Sequence, residues 1–339
     1  MATPQSTFYK VVAKNSKYKI DLTDIATEIS WGDEDGELAA KATITIDNVV
    51  WKGRRISNQL PLTTWIFVYT STDKSSWKER FRGLIWEYEV KDESEEEYTM
   101  LCYDRLIYLT RCKDNIYIPK NKTTKYILSK ICKKWHIKMS YKWYTHKHSK
   151  KKFYGEYLSD MITETMESAR RKLRVGYVIS MDKSVMYVRK KGTNNYTYSF
   201  ASESNTVSVS RKKSMDELVT KVLITGTAKK NGHVPVKATV KGSYKKYGTL
   251  QEIVEKDKKT KMRTAKREAK NILQDQGRPA EEIVVETIDV PGIRKGHAVK
   301  VKSGALNGTY FVTAVTHDGK TASMTMELEV IRKNEQYRR

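Results

Sequence analysis

Apolar and polar residues alternate along much of the first 118 residues, which predicts β-strands. In the segment ATITID, Ile44 and Ile46 alternate with polar residues, as in a strand with one buried face. The segment TWIFVYT (64–70) is mainly β-branched and aromatic, which favours a strand buried on both faces. Two further runs, RFRGLIWEYEV (80–90) and EYTMLCYD (97–104), flank a polar stretch and predict a β-hairpin.

The spacing of apolar residues becomes helical after Pro119. The segment NKTTKYILSKICKKWHIK (121–138) predicts an amphipathic helix, with Asn121 or Thr123 as its N-cap. The apolar side of this helix comprises Ile127, Leu128, Ile131, Cys132 and Trp135.

A second amphipathic helix and a hairpin follow. The segment LSDMITETMESARRKLRVG predicts a helix that ends at Gly176. Its apolar stripe comprises Leu158, Met161, Ile162, Thr165, Met166, Ala169 and Leu173. The segment YVISMDKSVMYVRKK (177–191) alternates and predicts a hairpin that turns around Asp182-Lys183. Residues 119–194 are therefore predicted to form a small basic α+β domain between two β-rich regions.

Strand patterns return after about residue 196, and one long polar helix interrupts them. The helix is predicted at 259–277, where Gly277 ends it and Pro279 follows. The fold class predicted from these patterns is mainly β, with an α+β insert.

The final run, THDGKTASMTMELEV (316–330), carries a turn signal. Asp318-Gly319 is a preferred pair for a two-residue type I′ turn, which would place His317 opposite Lys320. On this register the strand 309–316 is apolar on both faces, so a second element must cover it. The helix at 259–277 or a neighbouring subunit could do so. The candidate assembly interface comprises Tyr310, Val312 and Ala314.

The positive charge of the chain lies mainly in its middle. The net charge is +24, yet residues 1–118 hold 16 Lys and Arg against 19 Asp and Glu, whereas residues 119–200 hold 20 against 5. Within 133–154, eight lysines are interleaved with Trp and Tyr, a mixture typical of single-stranded nucleic-acid binding. The candidate contacts to a polyanion or protein partner are Lys133, Lys134, Lys138, Lys142, Lys147, Lys150, Lys151 and Lys152.

Two other interpretations of this basic segment remain open. The lysines could form a solvated face whose aromatic residues point into the core of the insert, and we favour this interpretation because no recognised nucleic-acid-binding fold accompanies the cluster. The segment could also contact an acidic protein in an assembly.

The sequence predicts no catalytic site, cofactor or metal. Cys102, Cys112 and Cys132 lack metal-site or disulfide spacing and are predicted to be buried or incidental thiols. His146 and His148 are predicted to lie in an exposed loop. The remaining candidates are predicted to be ordinary turn residues: His233, His297, His317 and the acidic run 92–97. None of the common nucleotide-binding, hydrolase or metalloprotease motifs occurs, so an enzyme is not predicted.

The N-terminal segment has no apolar core of the kind that a signal peptide contains, and no window of the sequence resembles a membrane span. These two features predict synthesis in a cytoplasm without a membrane anchor.

Two hairpins of the chain share a weak internal resemblance. FRGLIWEYEV with EYTMLCYD has the same layout as LNGTYFVTAV with KTASMTMELEV, and Gly83 and Gly308 each open the first strand. A glycine there would suit a bulge or a close backbone approach.

The order of these segments resembles the baseplate hub proteins of contractile phage tails and related injection particles, in particular the XkdQ/YqbQ-type family. The resemblance rests on EISWGDEDGELAAKATITID (28–47), FRGLIWEYEV (81–90) and the C-terminal run 293–330. It implies two tube-type β-barrel domains, at 1–118 and 195–339, that flank the α+β insert.

The resemblance further implies a structural role without catalysis. A homotrimeric ring would adapt a sixfold tail tube to a threefold spike or tip and form part of a central channel. The implied partners are the chain itself, the tail tube protein, the spike or tail-tip protein, and the tape-measure and other baseplate proteins. Nucleic acid would only pass through the channel, and the implied location is the tail baseplate of a phage or tail-like particle. The alternative function is nucleic-acid binding by residues 120–152.

Overall fold

The computed structural model describes residues 7–91, 96–194, 197–201, 206–257 and 260–331. The chain divides into two compact units. Unit 1 comprises Met1–Val209 and Val284–Arg339, and unit 2 comprises Ser210–Ile283. The α+β segment belongs to unit 1, and the helix predicted at 259–277 lies in unit 2. The domain boundaries at 118/119 and 194/195 stay a prediction.

The elements follow one another in three groups. The first group is β1 (Phe8–Lys14), β2 (Lys19–Asp21), β3 (Ala26–Asp33), β4 (Lys41–Asp47), β5 (Val50–Trp51), β6 (Arg54–Arg55), β7 (Trp65–Ser71), β8 (Lys78–Lys91) and β9 (Glu97–Tyr103). The second group is α1 (Ile107–Arg111), β10 (Lys113–Ile118), α2 (Thr124–Lys134), β11 (Lys138–Lys142), β12 (Lys151–Tyr157), α3 (Leu158–Leu173), β13 (Tyr177–Asp182) and β14 (Val185–Lys190). The third group is β15 (Tyr198–Ala201), β16 (Thr206–Ser214), β17 (Lys221–Gly226), β18 (Val236–Lys241), α4 (Tyr244–Tyr247), β19 (Gln251–Lys256), α5 (Met262–Gln276), β20 (Ala280–Ile288), β21 (Ala298–Ser303), β22 (Leu306–Asp318) and β23 (Ser323–Val330).

The fold is mainly β, as predicted, and its largest element within the described residues is a 13-stranded sheet. Two strand sets make up this sheet. The first strand set has the neighbour order β1-β7-β8-β9-β4-β3, and the second has the order β15-β21-β22-β23-β20-β16. Strand β2 extends the first set beside β1. The sets join where β3 pairs with β22.

The two strand sets share one topology. When the strands of each set are numbered along the chain, both sets have the spatial order 1-4-5-6-3-2. The two sets differ in the direction of their first strand, because β1 runs antiparallel to β7 whereas β15 runs parallel to β21. The hairpins β8/β9 and β22/β23 occupy equivalent places, as their internal resemblance suggested. Of these two glycines, only Gly83 is closely packed, because a Cβ added to it would lie 2.7 Å from the Tyr103 carbonyl oxygen. A Cβ added to Gly308 would have its nearest neighbouring atom 3.8 Å away.

The predicted alternation of the first strand set is confirmed on its inner face. Ile44 and Ile46 of β4 are fully buried in an apolar core with strands β1, β7, β8 and β9. Strand β7 is buried on one face only, because Trp65, Phe67 and Tyr69 on the other face are half-buried and contact one another. The prediction of burial on both faces was therefore wrong.

The α+β segment has a core of its own, formed mainly by α2, α3 and strands β10–β14. Thr123 caps α2, since its hydroxyl accepts a hydrogen bond from the Tyr126 amide at 3.2 Å. The predicted stripe of α3 is buried apart from the partly buried Leu173. Helix α3 ends before Gly176, because Arg174 itself adopts the left-handed conformation, with φ of 55°. The β13/β14 hairpin turns at Lys183 and Ser184, one residue later than predicted.

Unit 2 contains a three-stranded sheet with the order β18-β17-β19. Helix α5 packs on this sheet through the buried Ala265 and Ala269. The predicted helix therefore exists, and its apolar face is used against β17, β18 and β19. Gly277 follows its last residue with a negative φ of −78°, so it does not supply the left-handed cap that the sequence suggested.

The turn predicted at Asp318-Gly319 is different in the structure. Asp318 pairs with Ser323, which leaves a four-residue loop, and Ala322 adopts the left-handed conformation with φ of 50°. Gly319 instead packs tightly, because an added Cβ would lie 2.9 Å from Tyr9 and 3.0 Å from Ile29. Tertiary packing, rather than a type I′ turn, therefore accounts for this glycine.

Candidate assembly site at the junction of the two strand sets

The two strand sets meet at an antiparallel pairing of β3 with the end of β22. Residues 30–33 pair with residues 315–318, so that Trp31 faces His317 and Gly32 faces Thr316. The backbones approach so closely at Gly32 that an added Cβ would lie 1.9 Å from the Val315 carbonyl oxygen. Glycine is therefore required here for steric reasons.

His317 lies at the centre of this junction and is fully buried. Its ring stacks on the Trp31 indole, with centroids 4.1 Å apart and planes 11° from parallel. Nδ1 lies 2.6 Å from the Asp289 carboxylate and Nε2 lies 3.1 Å from the Ile293 carbonyl oxygen. Carboxylate and carbonyl oxygens accept hydrogen bonds, so this arrangement is satisfied when both ring nitrogens donate. The expectation that His317 is an ordinary turn residue was wrong.

A hydrogen-bond chain connects both strand sets through Asp289. The Tyr9 hydroxyl of β1 donates to Oδ2 of Asp289, whereas His317 contacts the other carboxylate oxygen, Oδ1. Burial and the negative charge of Asp289 raise the pKa of Tyr9, so its proton stays on the phenol oxygen. The Gly319 amide adds a bond of 2.7 Å to the Ile29 carbonyl of β3.

An ion pair between the half-buried Arg294 and the buried Asp33 forms the second contact of the junction. Arg294 donates from Nε and Nη2 to the two carboxylate oxygens of Asp33, at 2.6 and 2.9 Å. Although burial opposes ionisation of Asp33, the Arg294 guanidinium holds the pKa of that carboxyl well below its usual range. Arg294 also donates to the Arg80 carbonyl at 3.1 Å, and its guanidinium lies over the Trp31 ring. A bidentate pair of this kind fixes orientation as well as distance.

The neighbouring loop reinforces this ion pair. The Lys295 amide donates to Asp33 at 3.1 Å, and its ammonium group donates to the Glu34 carbonyl at 3.0 Å. Asp104 lies close by and accepts from the Ala40 and Leu106 amides. Burial raises the pKa of Asp104 to about 7.

The predicted interface residues lie within β22, adjoining this junction. Tyr310 and Val312 are buried and Ala314 is half-buried, and β22 pairs on its two sides with β21, β3 and β23. Contacts within the same chain therefore bury these residues, so their burial does not by itself require a second subunit. Their role in assembly stays a prediction.

Most of the predicted lysine contacts are exposed on the α+β segment. Lys151 is the exception, because its ammonium group pairs with Glu164 and only 10% of its side chain is exposed. Lys134 is exposed but pairs with Asp114 at 2.6 Å. The remaining exposed lysines are Lys133, Lys138, Lys142, Lys147, Lys150 and Lys152. Trp135 and Trp143 pack against the core, as the solvated-face interpretation expected, whereas Tyr144 and Tyr154 are exposed.

The histidine pair of this segment is more buried than the sequence suggested. His148 is almost fully buried, and its Nε2 lies 2.8 Å from the Thr124 hydroxyl. Burial lowers the pKa of His148 to about 4. The exposed-loop prediction was wrong for His148, whereas His146 is half-buried. Within the described residues, no group of three or more His, Cys, Asp or Glu side chains is arranged to hold a metal.

The other predicted positions divide into buried and exposed groups. Cys102 and Cys132 are buried and Cys112 is half-buried. His233 is exposed, and His297 is half-buried with its pKa lowered to about 4 by burial. Of the acidic run 92–97, residues 92–95 lie outside the described residues. None of the described helices is long and apolar enough to cross a membrane.

The junction residues were not identified from the sequence. Asp33 and Arg294 are 261 positions apart, and Tyr9 and Asp289 are 280 apart. One local signal existed, because Gly32 interrupts a strand between Trp31 and Asp33 and a glycine there indicates a close backbone approach.

Solved structures with this fold include tail proteins from three bacteria. The 43 kDa tail protein of prophage MuSo2 from Shewanella oneidensis is 12% identical, with 95% of this chain and 97% of that chain covered and a TM-score of 0.69. The tail protein from Neisseria meningitidis MC58 is also 12% identical, with the same coverage and a TM-score of 0.67. Prophage tail protein gp18 from Listeria monocytogenes EGD-e is 12% identical, with 96% and 95% covered and a TM-score of 0.59.

At this identity, the structural comparisons establish a shared fold. A comparison with curated proteins gave no match. The model of the YQBQ-like family matches residues 67–331, which include the hairpin β8/β9 and the closing hairpin β22/β23. Since this match spans most of the sequence, the chain belongs to the YQBQ-like family.

Proposed function

We propose that the protein is a structural hub of a contractile tail baseplate. Three copies form a ring that joins a sixfold tail tube to a threefold spike or tip, and the ring encloses part of a central channel. The partners are the tail tube protein, the spike or tail-tip protein, and the tape-measure and other baseplate proteins. DNA passes through the channel if the particle carries it.

The observation that carries this proposal is the common topology of the two strand sets. Three chains with two similar sets each offer six similar contacts, which can match a sixfold tube, while the complete chain repeats only three times. The likeness to tail proteins along about 95% of the chain supports the same role. We assign the predicted barrels at 1–118 and 195–339 to these two sets, with 119–194 between them and Ser210–Ile283 as a separate unit of the second region.

The junction gives this hub the rigidity that the role requires. The bidentate Asp33–Arg294 pair and the Trp31–His317 stack fix the angle between β3 and β22. A ring that carries load from the tube to the tip needs fixed angles between its parts. The proposed mechanism is mechanical, and no reaction step is part of it.

Electron microscopy of the assembled particle and mass photometry of the purified protein test the proposal. The expected result is three copies per particle, in a ring between the tube and the tip. The particle is the decisive specimen, because subunits of such a ring can remain apart before assembly. A single copy per particle, or a position outside the baseplate, would contradict the proposal.

Nucleic-acid binding is the second candidate function, and the observation in its favour is the exposure of Tyr144 and Tyr154 among exposed lysines. Exposed aromatic rings can stack on bases, and lysines neutralise phosphates. The packing of Trp135 and Trp143 in the core weakens this candidate. Fluorescence anisotropy with single-stranded DNA at low salt tests it, and a lack of binding there removes it.

A further inference from the structure

The intramolecular pairing of β3 with β22 provides a template for a contact between subunits. Strand β22 pairs with β21 through residues 306–311 and with β3 through residues 315–318, while β23 pairs along its other side. Its last four residues therefore have a neighbouring strand on both sides.

The register of the two hairpins shows which residues of β8 are equivalent. In β8/β9 the pairing shifts at Trp86, between the pairs Ile85–Cys102 and Glu87–Leu101. In β22/β23 it shifts at Thr313, between Val312–Leu328 and Ala314–Glu327. Both bulges lie five residues before the end of the strand. Residues 88–91 of β8 are thus equivalent to residues 315–318 of β22.

This part of β8 lacks the strand that its counterpart has. Among the described residues, 87–91 pair with β9 alone, because the pairing with β7 ends at Leu84 and the Ile85 backbone bonds to Thr63 and Thr64 just before β7. The side chains of this part of β8 are correspondingly more exposed than those of the equivalent part of β22. Tyr88 is 47% and Val90 is 36% exposed, whereas the equivalent Val315 and His317 are 1% and 0% exposed. An unpaired strand edge with exposed apolar side chains favours addition of another strand.

The strand that should fill this edge is β16, the counterpart of β3 in the second strand set. Both strands come second along the chain in their sets and lie at the end of the neighbour order. β3 is covered by β22, whereas β16 pairs only with β20 in the described part of the chain, and Val207 is 68% exposed.

The charges of these two edges are complementary. The β8 edge carries the exposed Glu87 and Glu89, and β16 carries the exposed Arg211, Lys212 and Lys213. Arg211 pairs with Glu281 of β20 at 2.5 Å, and Lys213 lies 3.8 Å from the same carboxylate, so one negative charge faces three positive charges and β16 keeps a positive excess. In the sequence, β8 also leads directly into the acidic run 92–97. The β8 edge is therefore acidic where β16 is basic, which favours contact between copies of this one chain.

We propose that β16 of one copy pairs antiparallel with residues 87–91 of β8 in the next copy, as β3 pairs with β22 within a chain. Three such contacts between subunits alternate around the ring with the three β3–β22 junctions within subunits, and so close it. Each subunit contributes two different surfaces, its β8 edge to one neighbour and its β16 edge to the other. The inference rests on the proposed trimer and specifies its contact.

Charge reversal tests this contact in the full-length chain. We expect E87K/E89K and K212E/K213E each to raise the dissociation constant of the trimer by more than about tenfold, because like charges would face each other at every contact. The variant that combines all four substitutions should form the trimer again, since its charges are complementary once more. The matched control is K237E/K241E, which reverses two exposed lysines on β18.

Mass photometry across a concentration series gives the dissociation constants, and circular dichroism verifies folding of each variant. Trimers that form normally with either pair reversed overturn the β16–β8 contact but leave the proposed hub intact. Failure of the combined variant to recover, although it is folded, also overturns the contact. A wild-type chain that is monomeric both alone and in assembled particles overturns the hub, and the contact with it.

Discussion

The Trp31 indole lies flat against the His317 imidazole, although the two residues are 286 positions apart in the sequence. Trp31 belongs to the first strand set and His317 to the second, and both are buried. The stack also shields the hydrogen bond between His317 and Asp289 from water. This contact therefore combines apolar packing with a buried hydrogen bond to the Asp289 carboxyl group, and loss of the imidazole should weaken both.

We predict that H317A destabilises the junction by about 3–5 kcal/mol, because it leaves the Asp289 carboxylate buried with one donor fewer. The thermal midpoint should fall, and amide hydrogen exchange should accelerate first in β3 and β22. The control is H233A, since His233 is exposed and its removal should change stability by less than about 0.5 kcal/mol. Equal effects of the two variants would contradict the central position of His317.

We predict that G32A disrupts the pairing of β3 with β22. The new Cβ would overlap the Val315 carbonyl oxygen, and neither backbone can move without breaking the sheet. The cost should reach or exceed about 3 kcal/mol, the upper range for overpacking. G308A is a matched control in β22, because the nearest atom to its Cβ would be 3.8 Å away. Thermal unfolding of both variants provides the comparison, and a stable G32A protein would refute the close approach.

We predict that D33A costs about 3–5 kcal/mol, because it leaves the Arg294 guanidinium without its buried partner. The exposed pair of Lys134 with Asp114 offers the contrast, and K134A should cost at most about 1 kcal/mol. Chemical denaturation of both variants at neutral pH measures the difference. A cost for D33A no larger than that for K134A would show that the buried pair does not hold the junction.

We predict that acid destabilises the α+β segment through His148. Its pKa is about 4 in the folded protein, below the ordinary value near 6.5, so the unfolded chain takes up the proton first. Stability from this residue is complete above about pH 6.5 and is lost as the pH falls towards 4, by up to about 1.4 kcal/mol per pH unit.

NMR titration of His148 and denaturation at several pH values check this prediction. The H148Q variant cannot take up the proton, so its stability should depend less on pH over the same interval. An imidazole that titrates near pH 6.5 in the folded protein would exclude this origin of acid sensitivity.

We predict that R174G stabilises the protein by up to about 1 kcal/mol. Arg174 ends α3 with a φ of 55°, a conformation that glycine adopts without steric cost. The control is K172G inside the same helix, which should destabilise by about 1 kcal/mol. Thermal midpoints that shift in the same direction for both variants would contradict this explanation of the helix end.

Local patterns predicted most of the elements, because those elements depend on neighbours in the chain. The stripe of α3 and the alternation in β4 were identified correctly, since helical and strand periodicities are properties of short segments. The closing hairpin shows the limit of this approach. Asp318-Gly319 indicated a two-residue turn, but Gly319 packs against Tyr9 from the opposite end of the chain, and the loop is longer.

The sequence by itself determined the mainly β class, the two amphipathic helices of the α+β segment and the family to which the chain belongs. Only the tertiary structure decided that His317 and Asp33 are buried junction residues, and that the two strand sets share one order. Ionic, stacking and strand-pairing contacts across more than 260 positions depend on the folded path of the chain, which no local spacing encodes. Burial then gives these contacts their strength, because it removes the water that would otherwise compete for the same groups.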